Sequence, residues 1–340
     1  MSIQNILVVK LSAIGDVIHA LPVSYALKET FPNAKVTWVV EPPAYDILTN
    51  NPYIDEIIVF EKKKFKSIGG FLKHIPAFAS RMKSGHYDVT LDLQGLGKSA
   101  AITYLSHAPI KLGTCNMREL SQYVSTPVCG PNQNGHIVDR YLDVVRALGC
   151  KVDHVEFPIH ITDTEADLTI KRMQQAGMKE ANPYVVLAIG ANWPNKRWPT
   201  TYYAKLIDWL YTKSLIPVLI GGGVVDDRLV AEINAKTEIP AIDLVGKTTL
   251  KQAAYVIRGA KALVGGDTGM THLAAALRQN TIEIMGPTDA KRNGPYGQQE
   301  NAIEITQDCK YCWARQCRLN IDCLAQIPLA LVREKLMQYI

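Results

Sequence analysis

A short, unalternating apolar run followed by a stretch with apolar side chains at helical spacing recurs from one end of this chain to the other, and few folds accommodate that rhythm. The first run, Ile6-Leu7-Val8-Val9, has no polar position, as expected of a strand buried on both faces of a parallel sheet. Val17, Leu21 and Tyr25 follow at helical spacing, and Pro22 is expected to kink or restart that helix. Further strands are expected at 36–41, 56–60 and 89–93, with a long helical stretch at 68–82 broken only by Gly69, Gly70 and Pro76. Residues 136–150 close this half as a helix with Ile137, Tyr141, Val144, Val145 and Leu148 on one face and Gly149 as its stop.

The composition then shifts. Phe157-Pro158-Ile159-His160-Ile161 reads as a connector, and Thr162 with Glu165 as a capping box opening a second series. Its strands are expected at 185–189, 217–220, 242–245, 262–264 and 282–285, with clear helices at 201–213 and 250–257. Alternation of this kind argues for α/β architecture with doubly wound sheets. Residues 1–160 form one expected domain and 161–325 a second, with a last helix within 326–340 packing across the join. Two such domains are expected to face a central cleft, with ligands at the carboxyl ends of the strands.

Composition narrows the function classes. The chain has 340 residues, 47% of them hydrophobic and 20% charged, which is ordinary for a globular protein with ample core. A net charge of +5 suits an anionic ligand or membrane surface and is too weak to imply nucleic acid. No apolar run reaches the roughly 18–20 residues of a membrane span, and no signal peptide is evident, so a cytoplasmic location is expected. Of the seven cysteines, Cys115, Cys129 and Cys150 are scattered and four crowd the last 32 residues, which argues against a secreted disulfide framework. Neither half carries G-x-G-x-x-G after its first strand, and there is no Walker lysine motif, G-x-S-x-G elbow or H-E-x-x-H.

The stretch with most chemistry is Gly265-Gly266-Asp267-Thr268-Gly269-Met270-Thr271-His272, read as strand, glycine turn and helix start. Glycine permits close backbone approach, and a helix N-terminus offers unpaired N–H groups at the positive end of a dipole. That suits a diphosphate; equally, Asp267 or Thr268 serves as a helix cap. Five other segments accompany it: residues 12–22 (Ser-Ala-Ile-Gly-Asp-Val-Ile-His-Ala-Leu-Pro), Trp38-Val39-Val40-Glu41, residues 92–99 (Asp-Leu-Gln-Gly-Leu-Gly-Lys-Ser), Lys196-Arg197-Trp198-Pro199 and Gly221-Gly222-Gly223. Together they resemble glycosyltransferase family 9, the bacterial lipopolysaccharide heptosyltransferases, from residue 5 to about residue 325. Gly-Asp-Val-Ile-His with Trp-Val-Val-Glu most resembles the type I branch, which adds the first heptose to the Kdo-lipid A core.

That resemblance implies the GT-B fold, two Rossmann-like domains with a cleft, and inverting transfer of heptose from ADP-heptose without a catalytic metal. Work at the cytoplasmic face of the inner membrane follows from the acceptor. Such transfer needs a base for the acceptor hydroxyl and positive charge for the departing diphosphate. Asp16 matches the family's proposed base. The positive end of a helix stabilises its carboxylate and so weakens it as a base, burial opposes that, and a plain helix cap is the alternative. Lys196 matches the lysine that meets the donor phosphates. Ser12 and Gly15 are expected on the donor from the first domain. Asp226 or Asp227 stands where an acidic residue holds the ribose, unless it only caps a helix. Asp267, Thr268, Gly269 and His272 match donor-phosphate positions, His272 being otherwise a satisfied histidine of the helix.

Lys62, Lys63, Lys64 and Lys66, with Arg118, match acceptor positions. A lysine run is otherwise a solvated face or a hold on an anionic membrane, and lysine here replaces arginine, which loses bidentate carboxylate recognition. Cys309, Cys312, Cys317 and Cys323 suit a structural zinc or iron ion, or else remain thiols or pair as disulfides. Transfer to another acceptor (a second heptose, a protein or another glycan), use of another nucleotide sugar, and a non-catalytic nucleotide-sugar-binding module remain alternatives.

Overall fold

The computed structural model describes residues 3–179 and 182–340, which fall into two compact units, Met1–His160 and Ile161–Ile340. The first holds strands β1 (Asn5–Val9), β2 (Lys35–Val40), β3 (Glu56–Val59), β4 (Val89–Asp92), β5 (Ile110–Thr114) and β6 (Thr126–Val128). Its helices are α1 (Ile14–Thr30), α2 (Ile68–Lys83), α3 (Gly97–Leu105) and α4 (Ile137–Arg146). The second holds β7 (Tyr184–Ala188), β8 (Ile216–Ile220), β9 (Ile242–Asp243), β10 (Ala262–Gly266), β11 (Thr281–Met285) and β12 (Ala302–Glu304). Between and after them run α5 (Asp163–Gln175), α6 (Thr200–Thr212), α7 (Val224–Asn234), α8 (Leu250–Arg258), α9 (Gly269–Ala276), α10 (Ala290–Asn293) and α11 (Leu329–Leu336).

The first sheet runs β3-β2-β1-β4-β5-β6 and the second β12-β11-β10-β7-β8-β9. Every pairing is parallel, Val8 lying between Trp38 and Leu91 in the first sheet, and Leu187 between Val264 and Leu219 in the second. Counted from its own first strand, each sheet has the same doubly wound order, with the reversal of direction falling between β1 and β4 and between β7 and β10. These are the two Rossmann-like sheets of the GT-B architecture, and ligands of such sheets collect at the carboxyl ends of the strands flanking the reversal. The continuous apolar runs are explained by burial: Ile6 to Val9 and Ala262 to Val264 are sealed on both faces by helices.

Three strands at or next to a sheet edge were not expected. β5, one strand in from the edge, carries Lys111 and Gly113, while the edge strands β6, around Pro127, and β12 are each three residues long. Short strands at a sheet edge bury little, and proline is tolerated there because its missing N–H faces outward. Pro22 does not restart α1, which continues through it as one helix. The Thr162–Glu165 capping box forms with both reciprocal bonds, Thr162 N–H to Glu165 Oε2 (2.8 Å) and Glu165 N–H to Thr162 Oγ1 (3.2 Å). α11 buries Val332 and Leu336 in the second unit's own core. Among the described residues no helix is long and apolar enough to cross a membrane.

The scattered-cysteine reading needs correction. Cys115 and Cys129 form a disulfide. They are the residues that follow β5 and β6, and those strands pair Thr114 with Val128, so the register delivers the two cysteines side by side with Cα atoms 4.6 Å apart.

Candidate functional site

In the first unit the residues after β1 and β4 converge. Gln94 Oε1 accepts N–H bonds from Leu11 (3.1 Å) and Ser12 (3.0 Å), which fixes the turn leaving β1. Lys98 Nζ donates to Ser12 Oγ (3.3 Å) and to Glu41 Oε1 (2.5 Å), while Lys62 Nζ meets Glu41 Oε2 at 2.8 Å. Burial pushes the Glu41 carboxyl up, but Lys62 and Lys98 outweigh it and hold Glu41 below the usual carboxylate range. Four of the sequence segments quoted above, from residues 12, 41, 62 and 98, thus meet in one charged cluster.

Asp16 occupies the third position of α1, and its Oδ2 accepts the Ala13 N–H at 3.0 Å. The capping role is therefore real, and it engages one carboxylate oxygen. Gly15 is buried in the same turn. Behind them lies Lys10, a residue the sequence reading passed over. It is 2% exposed, donating to Leu93 O (3.1 Å) and Tyr141 Oη (2.7 Å). Burial alone lowers its pKa; Tyr141 and the Asp16 charge more than reverse that. Lys63, Lys64 and Lys66 lie exposed on the turn after β3, with Lys64 paired to Glu61. Arg118 is exposed too, and its backbone N–H bonds Gly95 O at 2.9 Å, which sets it beside the turn after β4.

In the second unit the glycine stretch divides differently from expectation. Gly265 and Gly266 belong to β10, and α9 starts at Gly269. A Cβ on Gly265 would collide with Ala188, and one on Gly266 with the Lys196 carbonyl oxygen. Gly266 lets the Pro194–Lys196 turn cross the sheet closely, and Gly265 makes room for Ala188 of β7, rather than either admitting a ligand. Thr268 is the N-cap residue of α9 but makes no side-chain cap bond; its N–H bonds Thr271 Oγ1 at 3.0 Å. The first N–H groups of α9 are thus left for an anion.

Beside that helix start, Asp267 Oδ2 takes Lys196 Nζ (2.6 Å) and Thr288 Oγ1 (2.5 Å), and its Oδ1 meets His272 Nε2 (3.0 Å). Lys196 also lies over the Trp193 ring, 4.5 Å from its centroid, and Arg315 lies 5.7 Å from the same ring. Asn195 Nδ2 bonds Ala314 O at 2.6 Å, and Trp198 Nε1 bonds Ile327 O at 3.1 Å. The turn carrying Lys196 is therefore clamped on both sides by the C-terminal segment. Burial pushes the Asp267 carboxyl up, yet His272 and Lys196 prevail and hold it far below the usual range.

Asp226 and Asp227 part company. Asp226 is buried, and its Oδ2 accepts the N–H groups of Gly222 (3.0 Å) and Gly223 (3.2 Å), capping α7. Asp227 is exposed. The four C-terminal cysteines are free thiols, Cys323 being buried and Cys312 exposed. Among the described residues, the side chains whose ligand atoms lie within 4.8 Å of one another are Asp267, His272 and Glu283, not these cysteines. That triad does not suit a cation either, since the Lys196 ammonium already neutralises Asp267.

Glu283 was also missed, although it is the one charged residue in the apolar run of β11. It is fully buried and neither oxygen has a hydrogen-bond partner. Burial first, and then the Asp267 anion, hold its carboxyl well above the usual range, against the opposing pull of Lys196. The folded chain keeps this proton where the unfolded chain has released it, so stability falls as pH rises above the ordinary glutamate value. Asp267 acts oppositely: its contribution is complete above the ordinary aspartate range and is lost only as pH falls through its depressed folded value. Glu283→Gln should therefore raise the melting temperature at pH 8, by about 2–4 °C for each kcal/mol recovered in a unit of this size. The gain should shrink towards pH 4.5. Thermal melts of both proteins at pH 5 and pH 8 check this, and an equal gap at the two pH values would refute it.

Comparison with known proteins agrees with this geometry. The model of glycosyltransferase family 9 (heptosyltransferase) matches residues 75–321. Lipopolysaccharide heptosyltransferase 1 of Pseudomonas aeruginosa is 29% identical over 324 residues, covering 92% of this chain and 87% of that protein. Among solved structures, the family 9 glycosyltransferase from Veillonella parvula aligns with a TM-score of 0.82 at 23% identity, covering 99% of this chain and 98% of that one. Escherichia coli heptosyltransferase WaaC with ADP aligns at 0.75 and 25% identity, covering 99% and 100%. With the family match spanning well over half of its length, on two Rossmann-like units with an open helix N-terminus beside Lys196, this chain is a glycosyltransferase and belongs to family 9, the heptosyltransferases.

Proposed function

We propose that this enzyme transfers heptose from ADP-heptose to the Kdo-lipid A inner core of lipopolysaccharide, with inversion and without a metal, at the cytoplasmic face of the inner membrane. The observation that carries the donor assignment is the uncapped start of α9 beside Lys196. Backbone N–H groups and one ammonium are the chemistry a diphosphate asks for. In this reading the Gly269 N–H and the Thr268 hydroxyl receive the phosphates, and Asp267 with His272 positions Lys196. Asp227, rather than the capping Asp226, takes the ribose hydroxyls. Ser12 and Gly15 line the donor side of the first unit.

Asp16 takes the proton from the acceptor hydroxyl as its oxygen attacks the anomeric carbon on the face opposite the departing ADP. Lys196 and the helix dipole meet the charge that grows on the β-phosphate as the glycosidic bond breaks. Lys62, Lys63, Lys64, Lys66 and Arg118 receive the carboxylates and phosphates of the acceptor. The relatives named lipopolysaccharide heptosyltransferase 1 support the type I assignment, and heptosyltransferase 3 of Escherichia coli, 27% identical over 282 residues, supports the broader class.

ADP release from ADP-heptose, measured with and without de-acylated Kdo-lipid A, tests this. Acceptor-dependent release is expected. Release only with an acceptor that already carries heptose would move the assignment to a later transfer, and failure to bind ADP-heptose would sink the donor.

A further inference from the structure

The first turn of α2 exposes apolar side chains that the fold does not use. Ile68 is 83% exposed, Leu72 65% and Phe71 46%, and the spacing of 68, 71 and 72 puts them on neighbouring rows of one helix surface. Further along the same helix the chain is anchored: Met82 is buried and Phe78 packs into the core of the first unit. Phe65 stacks on Phe60 (5.0 Å between centroids) and meets Phe78 edge-on at 5.7 Å. Ser67 Oγ caps the helix by accepting the Gly70 N–H at 3.1 Å. The exposed turn is thus held out on a fixed base.

Charge surrounds it in one sign. Residues 62–83 contain seven lysines and arginines and no acid. Lys62 and Lys64 pair with Glu41 and Glu61; among the described residues no carboxylate pairs with Lys63, Lys66 or Lys73, all of which are exposed. A helix turn with apolar side chains outward, ringed by lysines, has the features that seat an interfacial helix in an anionic bilayer. A second copy seated on the same patch would bring lysines against lysines.

We infer that the surface formed by Ile68, Phe71 and Leu72 with Lys63, Lys66 and Lys73 docks the first unit onto an anionic lipid bilayer, the apolar turn entering the headgroup layer. Lys62 joins this surface to the Glu41–Lys98–Ser12 cluster, so a sugar anchored in that bilayer would meet the enzyme on its acceptor side. That last link rests on the acceptor proposed above; the docking does not.

The test is flotation of the full-length protein with vesicles of phosphatidylethanolamine and phosphatidylglycerol, against phosphatidylcholine alone. Binding to the anionic vesicles, weakened by salt, is expected. Ile68→Ser combined with Leu72→Ser should cut it by at least about tenfold, and Lys73→Glu should weaken it by a similar factor, since both remove an attraction and one adds a repulsion. Both serines replace exposed residues, so transfer to a soluble, de-acylated acceptor should be unchanged. Wild-type-like flotation of the double variant overturns the proposal. So does a solution dimer that the double variant dissolves, which would make the patch a contact between copies. Transfer without flotation defeats the docking surface alone; flotation without transfer defeats the reaction alone.

Discussion

Asp16→Asn is expected to lower the turnover number by about 10²–10⁴-fold, the range that a positioned general base contributes, while leaving ADP-heptose affinity and the melting temperature near wild type. The choice of asparagine follows from the geometry. Asp16 Oδ2 accepts the Ala13 N–H at 3.0 Å, and an asparagine oxygen keeps that bond while losing the ability to take a proton. Asp16→Ala removes both, so it should show the same catalytic loss plus about 1 kcal/mol of destabilisation from the missing cap. The pair of variants therefore separates base from cap. If Asp16→Asn keeps a tenth or more of wild-type turnover, Asp16 is a helix-capping residue and the base lies elsewhere. Donor affinity, measured by calorimetry, should be insensitive because Lys196 and the start of α9 belong to the other unit.

How far such residues can be read in advance depends on whether their role is local. β1 and β10 were legible because a strand sealed on both faces must be apolar throughout, and the capping box at Thr162 was legible because its two bonds span three residues. Asp16 and the Gly265–His272 stretch marked a candidate site, but not its division of labour. Gly266 is glycine because the backbone of Lys196 crosses it, a contact between positions 70 residues apart that no local pattern records. The same holds for Cys115 and Cys129, brought together by the register of β5 and β6. Glu41, Lys62, Lys98 and Ser12 each lay in quoted segments, yet their meeting point required the order of the sheet. Glu283 offered the opposite signal, a lone acid in an apolar run, which marks a buried neutral carboxyl only once Asp267 is known to stand beside it.

Lys196 should show the second large effect, and it has two separable parts. Lys196→Met removes the cation that this reading places on the leaving diphosphate, with an expected loss of about 10²–10³-fold in kcat/KM, by analogy with removal of a preorganised charge-stabilising donor. It also leaves Asp267 buried as an anion, with Thr288 and His272 as its remaining side-chain partners. Breaking one side of a buried ion pair costs about 3–5 kcal/mol, so the variant should melt well below wild type. Adding Asp267→Asn should restore most of that stability, because the uncompensated charge is gone, but it cannot restore the cation. Melting temperature and ADP-heptose affinity measured on the two single variants and the double close the cycle. Stability that recovers while donor affinity stays weak is the expected pattern. Recovery of both would mean that Lys196 serves only to neutralise Asp267, and that the N–H groups of α9 hold the diphosphate without it.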